Sequence, residues 1–525
     1  MSNQNLPGYI AALLYPDSYD YAVENVELIE THISWVLLTG TYAYKIKKPV
    51  NLGFLDFSTL KKRHFYCQEE LRLNSRLAPS LYLDVIPITG SEQQPVFSGS
   101  GRPFEYAVKM VQFPQSMQMD NLLATGQLHN KHIDALAETI AEFHQHTDIA
   151  NNNSTFGEPE IIYLPVRENV IQLQPLVKEN IAKTVLAQLE TGCEENFEQL
   201  KPIFIQRKQD GFIRECHGDM HSRNLVFIND RPVAFDCIEF DPELRWIDTI
   251  SDAAFLIMDL LYRQQPEFAW RFLNHYLETT GDYNAIRVLN FYLVYRAMVR
   301  AKVAAISASQ LLDNSLEQYK ASSACYQYLE LAQSFLQTNS PILIISCGFS
   351  ASGKSTLTEP LVEKLSAIRL RSDVERKRLF KLTAETSASA VFNTGIYVPE
   401  ATQKTYEYLA KQAELILNAD YPVIIDATFL HYQQRELFHQ LALKINIPFV
   451  ILEFKAQANT LRERIINRKK GASDADLTVL EHQLVNWNPL QENEQPSVIS
   501  VDTESPFDPD SLVNKITLYY KEHKT

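Results

Sequence analysis

Cys216-His217-Gly218-Asp219-Met220-His221-Ser222-Arg223-Asn224 places a carboxylate, Asp219, five residues before an amide, Asn224, and Phe235-Asp236 adds a second acid twelve residues beyond that. This order suits phosphoryl transfer. Asp219 accepts the proton of an attacking hydroxyl, while Asn224 and Asp236 offer oxygens to Mg2+ on ATP phosphates. An isolated His-Gly-Asp is a common turn, and the two later partners are what give the string its meaning. Upstream, Tyr42-Ala43-Tyr44-Lys45 puts a lysine on a strand, where an ion pair with Glu70, or with its neighbour Glu69, would hold it on the α- and β-phosphates. Glu70 is preferred because Leu73 and Leu77 share its helical flank, and Lys47 is the alternative lysine.

A second string lies far downstream. Gly348-Phe349-Ser350-Ala351-Ser352-Gly353-Lys354-Ser355 fits G-x-x-x-x-G-K-[ST], directly after an apolar strand and before a helix, which is the context the motif requires. Glycines let successive backbone N–H groups turn toward a phosphate, Lys354 reaches the β- and γ-phosphates, and Ser355 gives a hydroxyl to Mg2+. Two acids end later strands: Asp373 in Arg371-Ser372-Asp373, and Asp426 in Ile424-Ile425-Asp426. Asp373 either takes a proton from a substrate hydroxyl or caps the next helix; Asp426 either serves the Mg2+ shell, orients substrate or caps. Arg462, Arg464 and Arg468, followed by Lys469-Lys470-Gly471, form a basic stretch that either closes over phosphates or is a solvated face.

The elements that must carry these residues are legible in outline. Residues 26–38 and 41–47 read as two strands around Thr39-Gly40-Thr41, residues 61–77 as a helix, and residues 81–88 and 105–113 as two more strands, the last leading to a hinge whose backbone reads adenine. From Lys131 the pattern turns helical, and His144 at the end of one such stretch reads as a core histidine. Residues 286–337 are strongly helical, and Thr338-Asn339-Ser340-Pro341 marks a break. Strands at 341–348, 422–428 and 448–454 then alternate with helices, which implies a parallel sheet. The expected domains are 1–337 and 338–525.

Composition narrows the class. The 525 residues are 45% hydrophobic and 22% charged, enough for two or three domains. No apolar run approaches the roughly 18 residues of a membrane span, and with Lys45 as the first lysine no basic n-region is seen, so a cytoplasmic protein without membrane partners is expected. Six cysteines show no CxxC, which argues against a zinc site and for reduced thiols. The net charge of −15 divides as −13 over the first 338 residues and −2 over the rest, which argues against a nucleic-acid surface.

The loop His217-Gly218-Asp219-x-His221-x-x-Asn224 with Asp236 resembles the aminoglycoside phosphotransferase and choline kinase branch of the protein-kinase-like superfamily over about residues 26–300. It departs from protein kinases in lacking a G-x-G-x-x-G turn and in following the second acid with Cys237-Ile238. The later region resembles small P-loop kinases such as zeta toxins, polynucleotide 5′-kinases and gluconate-type kinases, through Gly348 to Thr356, Arg371-Ser372-Asp373, the Asp426 strand end with Arg435, and the Arg462–Arg468 stretch. That resemblance implies ATP on the loop, Asp373 as base, and Arg464 and Arg468 on phosphates.

The whole chain resembles bifunctional aminoglycoside phosphotransferase-like/ATP-binding proteins: a protein-kinase-like α+β bilobal domain followed by an α/β P-loop NTPase domain with a parallel sheet. The expected function is phosphorylation of small-molecule hydroxyls at two Mg-ATP sites. Alternatively, the first domain senses nucleotide and regulates a P-loop kinase acting on a nucleotide, a sugar or a nucleic-acid end. Neither resemblance implies the acceptors or the oligomeric state.

Overall fold

Side-chain alternation builds the opening lobe, as seen in a computed structural model that describes residues 6–523 except 54, 313–314, 338–340, 383–395, 397 and 468–474. After helix α1 (Gly8–Leu13), strands β1 (Glu27–Glu30), β2 (Ser34–Leu38) and β3 (Tyr42–Lys47) pair antiparallel. The single strand expected over 26–38 is in fact two. The Thr31 hydroxyl oxygen accepts from the Ser34 N–H at 2.9 Å and closes a turn between them. Helix α2 (Leu60–Asn74) starts at Thr59, whose hydroxyl accepts from the Lys62 N–H. Strands β4 (Tyr82–Gly90), β5 (Pro95–Phe97) and β6 (Glu105–Val111) complete a six-stranded sheet of order β1-β2-β3-β6-β4-β5. Tyr44 and Ile46 of β3 pack into a core with Trp35, Leu37, Ile86, Ile88 and Ala107. By the two-residue period of a strand, Lys45 and Lys47 share its other face.

Helices α3 (Met119–Ala124), α4 (Asn130–His146), α5 (Pro159–Leu173) and α6 (Asn180–Gln209) follow, then strands β7 (Ile213–Glu215), β8 (Leu225–Ile228), β9 (Arg231–Ala234) and β10 (Trp246–Asp248) and helix α7 (Thr249–Tyr262). α4 buries Ile133, Leu136, Ala137, Ile140, Ala141 and His144, one stripe of a 3.6-residue repeat. β8 and β9 form a hairpin and β7 pairs with β10, so the Cys216–Asn224 string spans the connection from β7 to β8.

The remaining elements are α8 (Pro266–Thr280), α9 (Ile286–Gln310), α10 (Leu316–Ser334), β11 (Leu343–Cys347), α11 (Lys354–Leu365), β12 (Ile368–Arg371), α12 (Ser372–Leu379), α13 (Pro399–Leu417), β13 (Val423–Asp426), α14 (Tyr432–Lys444), β14 (Phe449–Lys455), α15 (Ala458–Ile466), α16 (Leu477–Val485), β15 (Val498–Asp502) and α17 (Pro509–His523). Five of these strands make a wholly parallel sheet of order β12-β13-β11-β14-β15. β11 is buried along its whole length, as a central parallel strand requires. The chain divides into two compact units, one of Met1–Pro165 with Phe204–Asp259 and one of Val166–Ile203 with Leu260–Thr525. Helix α8 therefore packs with the P-loop sheet. The Asn274 amide brackets edge strand β12, donating to the Ala367 carbonyl at 2.9 Å and accepting from the Arg369 N–H at 2.7 Å. Residues 338–340, where the sequence shows a break, lie outside the described residues.

Candidate active sites

In the first unit, Arg63, Cys67, Glu70 and Asn74 form the buried face of α2. Glu70 is divided between the two strand lysines. Its Oε1 lies 2.8 Å from Lys45 Nζ and its Oε2 2.6 Å from Lys47 Nζ. Lys45 also pairs with Asp236, and Lys47 with Glu239. Burial alone would raise the Glu70 pKa, but the two lysines outweigh it and hold the carboxyl down at about 2. Burial opposes charge on Lys45 as well, yet Asp236 and Glu70 keep its pKa well above the ordinary value. Both lysines weighed from the sequence thus engage Glu70. Glu69 instead pairs with Arg72.

The Asp219 loop is held from beneath by α7. Asp252 accepts from the backbone N–H groups of His217 and Gly218, both at 2.9 Å, and lies 3.2 Å from His144 Nε2. Asp259 accepts from the Ser222 N–H at 3.0 Å. His217 Nδ1 accepts from the Asp219 N–H, and its Nε2 lies 2.8 Å from the Phe235 carbonyl, so one ring joins the loop to the Asp236 turn. Asn224 Nδ2 donates to Asp219 Oδ2 at 2.9 Å, which turns the side-chain oxygen Oδ1 of Asn224 toward service as a cation ligand. Asp236 has φ +65, and its N–H donates to the Tyr82 hydroxyl. A positive φ is sparsely populated by Asp, and it is held here by neighbours on both sides. The strand expected to lead to the hinge ends at Val111, and Phe113 beyond it contacts Phe235.

The second unit holds a cavity of about 1360 Å³ lined by Ser350, Lys354, Ser355, Asp373, Asp426 and Arg464, among others. A Cβ on Gly348 would come within 2.7 Å of the Phe454 carbonyl oxygen, and Gly353 has φ +88, so the loop needs glycine at both positions. Lys354 Nζ donates to the Gly348 and Phe349 carbonyls at 3.0 and 2.7 Å, and helix α11 begins at this lysine. The N-terminus of α11, with Gly353 and Ser355 beside it and Thr356 in its first turn, favours anionic oxygens. Asp426 Oδ2 is buried without a hydrogen-bond partner. Such an oxygen in a cavity shared with the Ser355 hydroxyl fits a divalent cation. Asp373 sits in the first turn of α12 behind the N-cap residue Arg371, and it lines the cavity.

Arg464 hydrogen-bonds the Thr503 carbonyl at 2.7 Å and the Thr503 hydroxyl at 2.9 Å. Arg468 lies outside the described residues. Arg462 pairs with Glu481, and Arg435 is buried against Glu494 as a structural tie.

Sequence reasoning missed Glu239, the supporting acids Asp252 and Asp259, and Gln483, whose Oε1 accepts from the Ser350 N–H at 2.9 Å. Asp252 and Asp259 had a signal: two acids seven residues apart bracket the most apolar helical stretch. Glu239 and Gln483 had none.

Known proteins resemble the chain over one part or over most of its length. A family model described as "AAA domain" matches residues 343–490. Among solved structures, the amicoumacin kinase hAmiN in complex with AMP-PNP, Ca2+ and Ami is 14% identical, with 62% of this chain and 91% of that chain covered and a TM-score of 0.39. A choline/ethanolamine kinase family protein from Mesorhizobium loti is 9% identical, covering 59% of this chain and 92% of that one at TM-score 0.35. A gluconokinase from Sinorhizobium meliloti 1021 is 15% identical, covering 35% and 95% at TM-score 0.26. Uncharacterized protein Rv2004c of Mycobacterium tuberculosis (strain ATCC 25618 / H37Rv) is 30% identical over 450 residues, which is 86% of this chain and 88% of the relative. Uncharacterized protein Mb2027c of Mycobacterium bovis matches to the same extent. At 30% identity over 86% of its length, the chain belongs to the family of these mycobacterial proteins.

Proposed function

We propose that the protein is an ATP-dependent phosphotransferase with two Mg-ATP sites, each passing a phosphoryl group to a hydroxyl of a small molecule. The observation that carries this is the first unit's arrangement: a lysine on β3 paired with a glutamate on α2, beside the Asp219, Asn224 and Asp236 set. A bound Mg2+ would neutralise phosphate charge as the transferred group develops it. In the first unit, Lys45 grips phosphate oxygens, Asn224 and Asp236 supply cation ligands, and Asp219 takes the acceptor's proton. In the second, the Gly348–Thr356 loop and Lys354 hold phosphates, Ser355 and Asp426 supply ligands, Asp373 is the base, and Arg464 and Arg468 screen charge. Free, buried cysteines support a cytoplasmic placement, and no described helix is long and apolar enough to cross a membrane.

The test is ATP consumption against a panel of hydroxylated acceptors, comparing the unaltered chain with Asp219→Asn, Lys354→Ala and the double variant. Each single variant should lose one set of acceptors and the double variant all of them. Transfer retained by the double variant would sink the assignment.

A further inference from the structure

The first site contains more charge than a lysine–glutamate grip needs. Asp236, Lys45, Glu70, Lys47 and Glu239 form a continuous chain of alternating sign. Its inner end is dry, with the Lys47 and Glu239 side chains 1% and 4% exposed. Burying such a pair costs desolvation that an apolar pair would avoid, so what it supplies is fixed geometry. We propose that Lys47 and Glu239 are positioning residues of the first nucleotide site, pinning Glu70, and through it Lys45, so that the phosphate grip stays assembled whether or not nucleotide is bound. The proposal rests on the reading of this unit as a nucleotide site.

Three features carry it. Each Glu70 oxygen has its own lysine, so the carboxylate cannot rotate away from Lys45 without breaking its contact with Lys47. Glu239 ties Lys47 to the same turn that holds Asp236, which gives the lysine a second anchor besides Glu70. Helix α2 is fastened to that turn elsewhere too. The Asn74 side chain accepts from the Cys237 N–H at 2.9 Å and donates to the Glu70 carbonyl at 2.8 Å. Near its C-terminal end, Arg72 of α2 and Arg76 just beyond the helix both pair with Glu215 of β7. A helix tied at this many points cannot swing Glu70 out of the site.

The experiment uses the full chain carrying Lys354→Ala, which confines nucleotide to the first site, titrated with a nonhydrolysable ATP analogue and Mg2+. Replacing both members of the pair, Lys47→Met with Glu239→Leu, keeps the interior charge-balanced and should leave the melting temperature within a few degrees. Uptake should weaken by roughly ten- to a hundred-fold, the range typical of residues that orient a ligand-binding group. Unchanged affinity would reduce the pair to scaffolding and overturn the proposal. No uptake even before these two changes would remove the nucleotide-site reading, and the proposal with it. If the double variant does not fold, amide exchange across α2 of the unaltered chain decides. Protection near Glu70 should stay within about two-fold when analogue is added, and a large nucleotide-dependent gain would show a helix that moves and overturn the proposal.

Discussion

Gly218→Ala should damage the first site in a way that can be worked from distances. Gly218 has φ +88, where a Cβ costs roughly 1–2 kcal/mol. That Cβ would stand 2.7 Å from the Leu244 carbonyl oxygen, and relief requires the gap to widen by about 0.7 Å, to the 3.4 Å of an ordinary contact. The carbonyl cannot simply retreat. Asp241 caps the short turn that carries it, and the next carbonyl, that of Arg245, accepts from the Cys216 N–H at 2.8 Å. Overpacking against such a backbone adds roughly 1–3 kcal/mol, so the expected destabilisation is about 2–5 kcal/mol in urea titrations. Asp219 moves with the loop, and a displacement approaching 1 Å lowers transfer by roughly a hundred-fold. Gly40→Ala is the control, since φ is +90 there but no atom lies within 4 Å of the new Cβ. It should cost only the conformational part. A Gly218→Ala chain no less stable than Gly40→Ala would refute the reasoning.

Other outcomes follow from single contacts. Glu70 is depressed to about 2 in the folded chain against 4.5 for an unperturbed carboxyl, so its contribution, on the order of 3 kcal/mol, is full above pH 4.5 and lost as pH falls toward 2. Glu70→Gln should therefore flatten the acid limb of stability in that window, and an unchanged limb would contradict the charge chain. Gln483→Ala frees the Ser350 N–H and should tighten nucleotide at the second site about two- to ten-fold, the net worth of one hydrogen bond; weaker binding would show that Gln483 assists nucleotide instead. Asn274→Ala leaves Ala367 O and Arg369 N unpaired at the edge of β12 and should cost about 2–4 kcal/mol in the second unit's unfolding; an unchanged transition would mean α8 is not part of that unit.

The sequence showed most clearly what is local in the chain. Asp219, Asn224 and Asp236 lie within eighteen residues, and the Gly348–Ser355 loop is contiguous, so spacing alone reveals both. β11, β13 and β14 announce themselves as unbroken apolar runs, because a parallel strand is covered on both faces. The split of β1 from β2 was hidden, since Thr31 and Ile33 continue a β-branched pattern and the turn is made by contacts of Thr31 with Ser34, through its hydroxyl and its backbone N–H, that no spacing announces. Glu239 is one acid among 64 acidic residues, and its meaning comes from Lys47, 192 positions away. The same holds for α8. Nothing in Asn274 indicates that its amide will serve as one more strand against β12, because that contact exists only once the chain has folded.

The central claim is two working nucleotide sites in one chain. Calorimetric titration of the purified protein with a nonhydrolysable ATP analogue and Mg2+, repeated on Lys354→Ala and on Asp236→Ala, counts them before any acceptor is known. The account expects two sites in the unaltered chain, one lost with each variant. A single site, lost with Lys354→Ala and untouched by Asp236→Ala, would contradict it and leave the first unit without a nucleotide of its own.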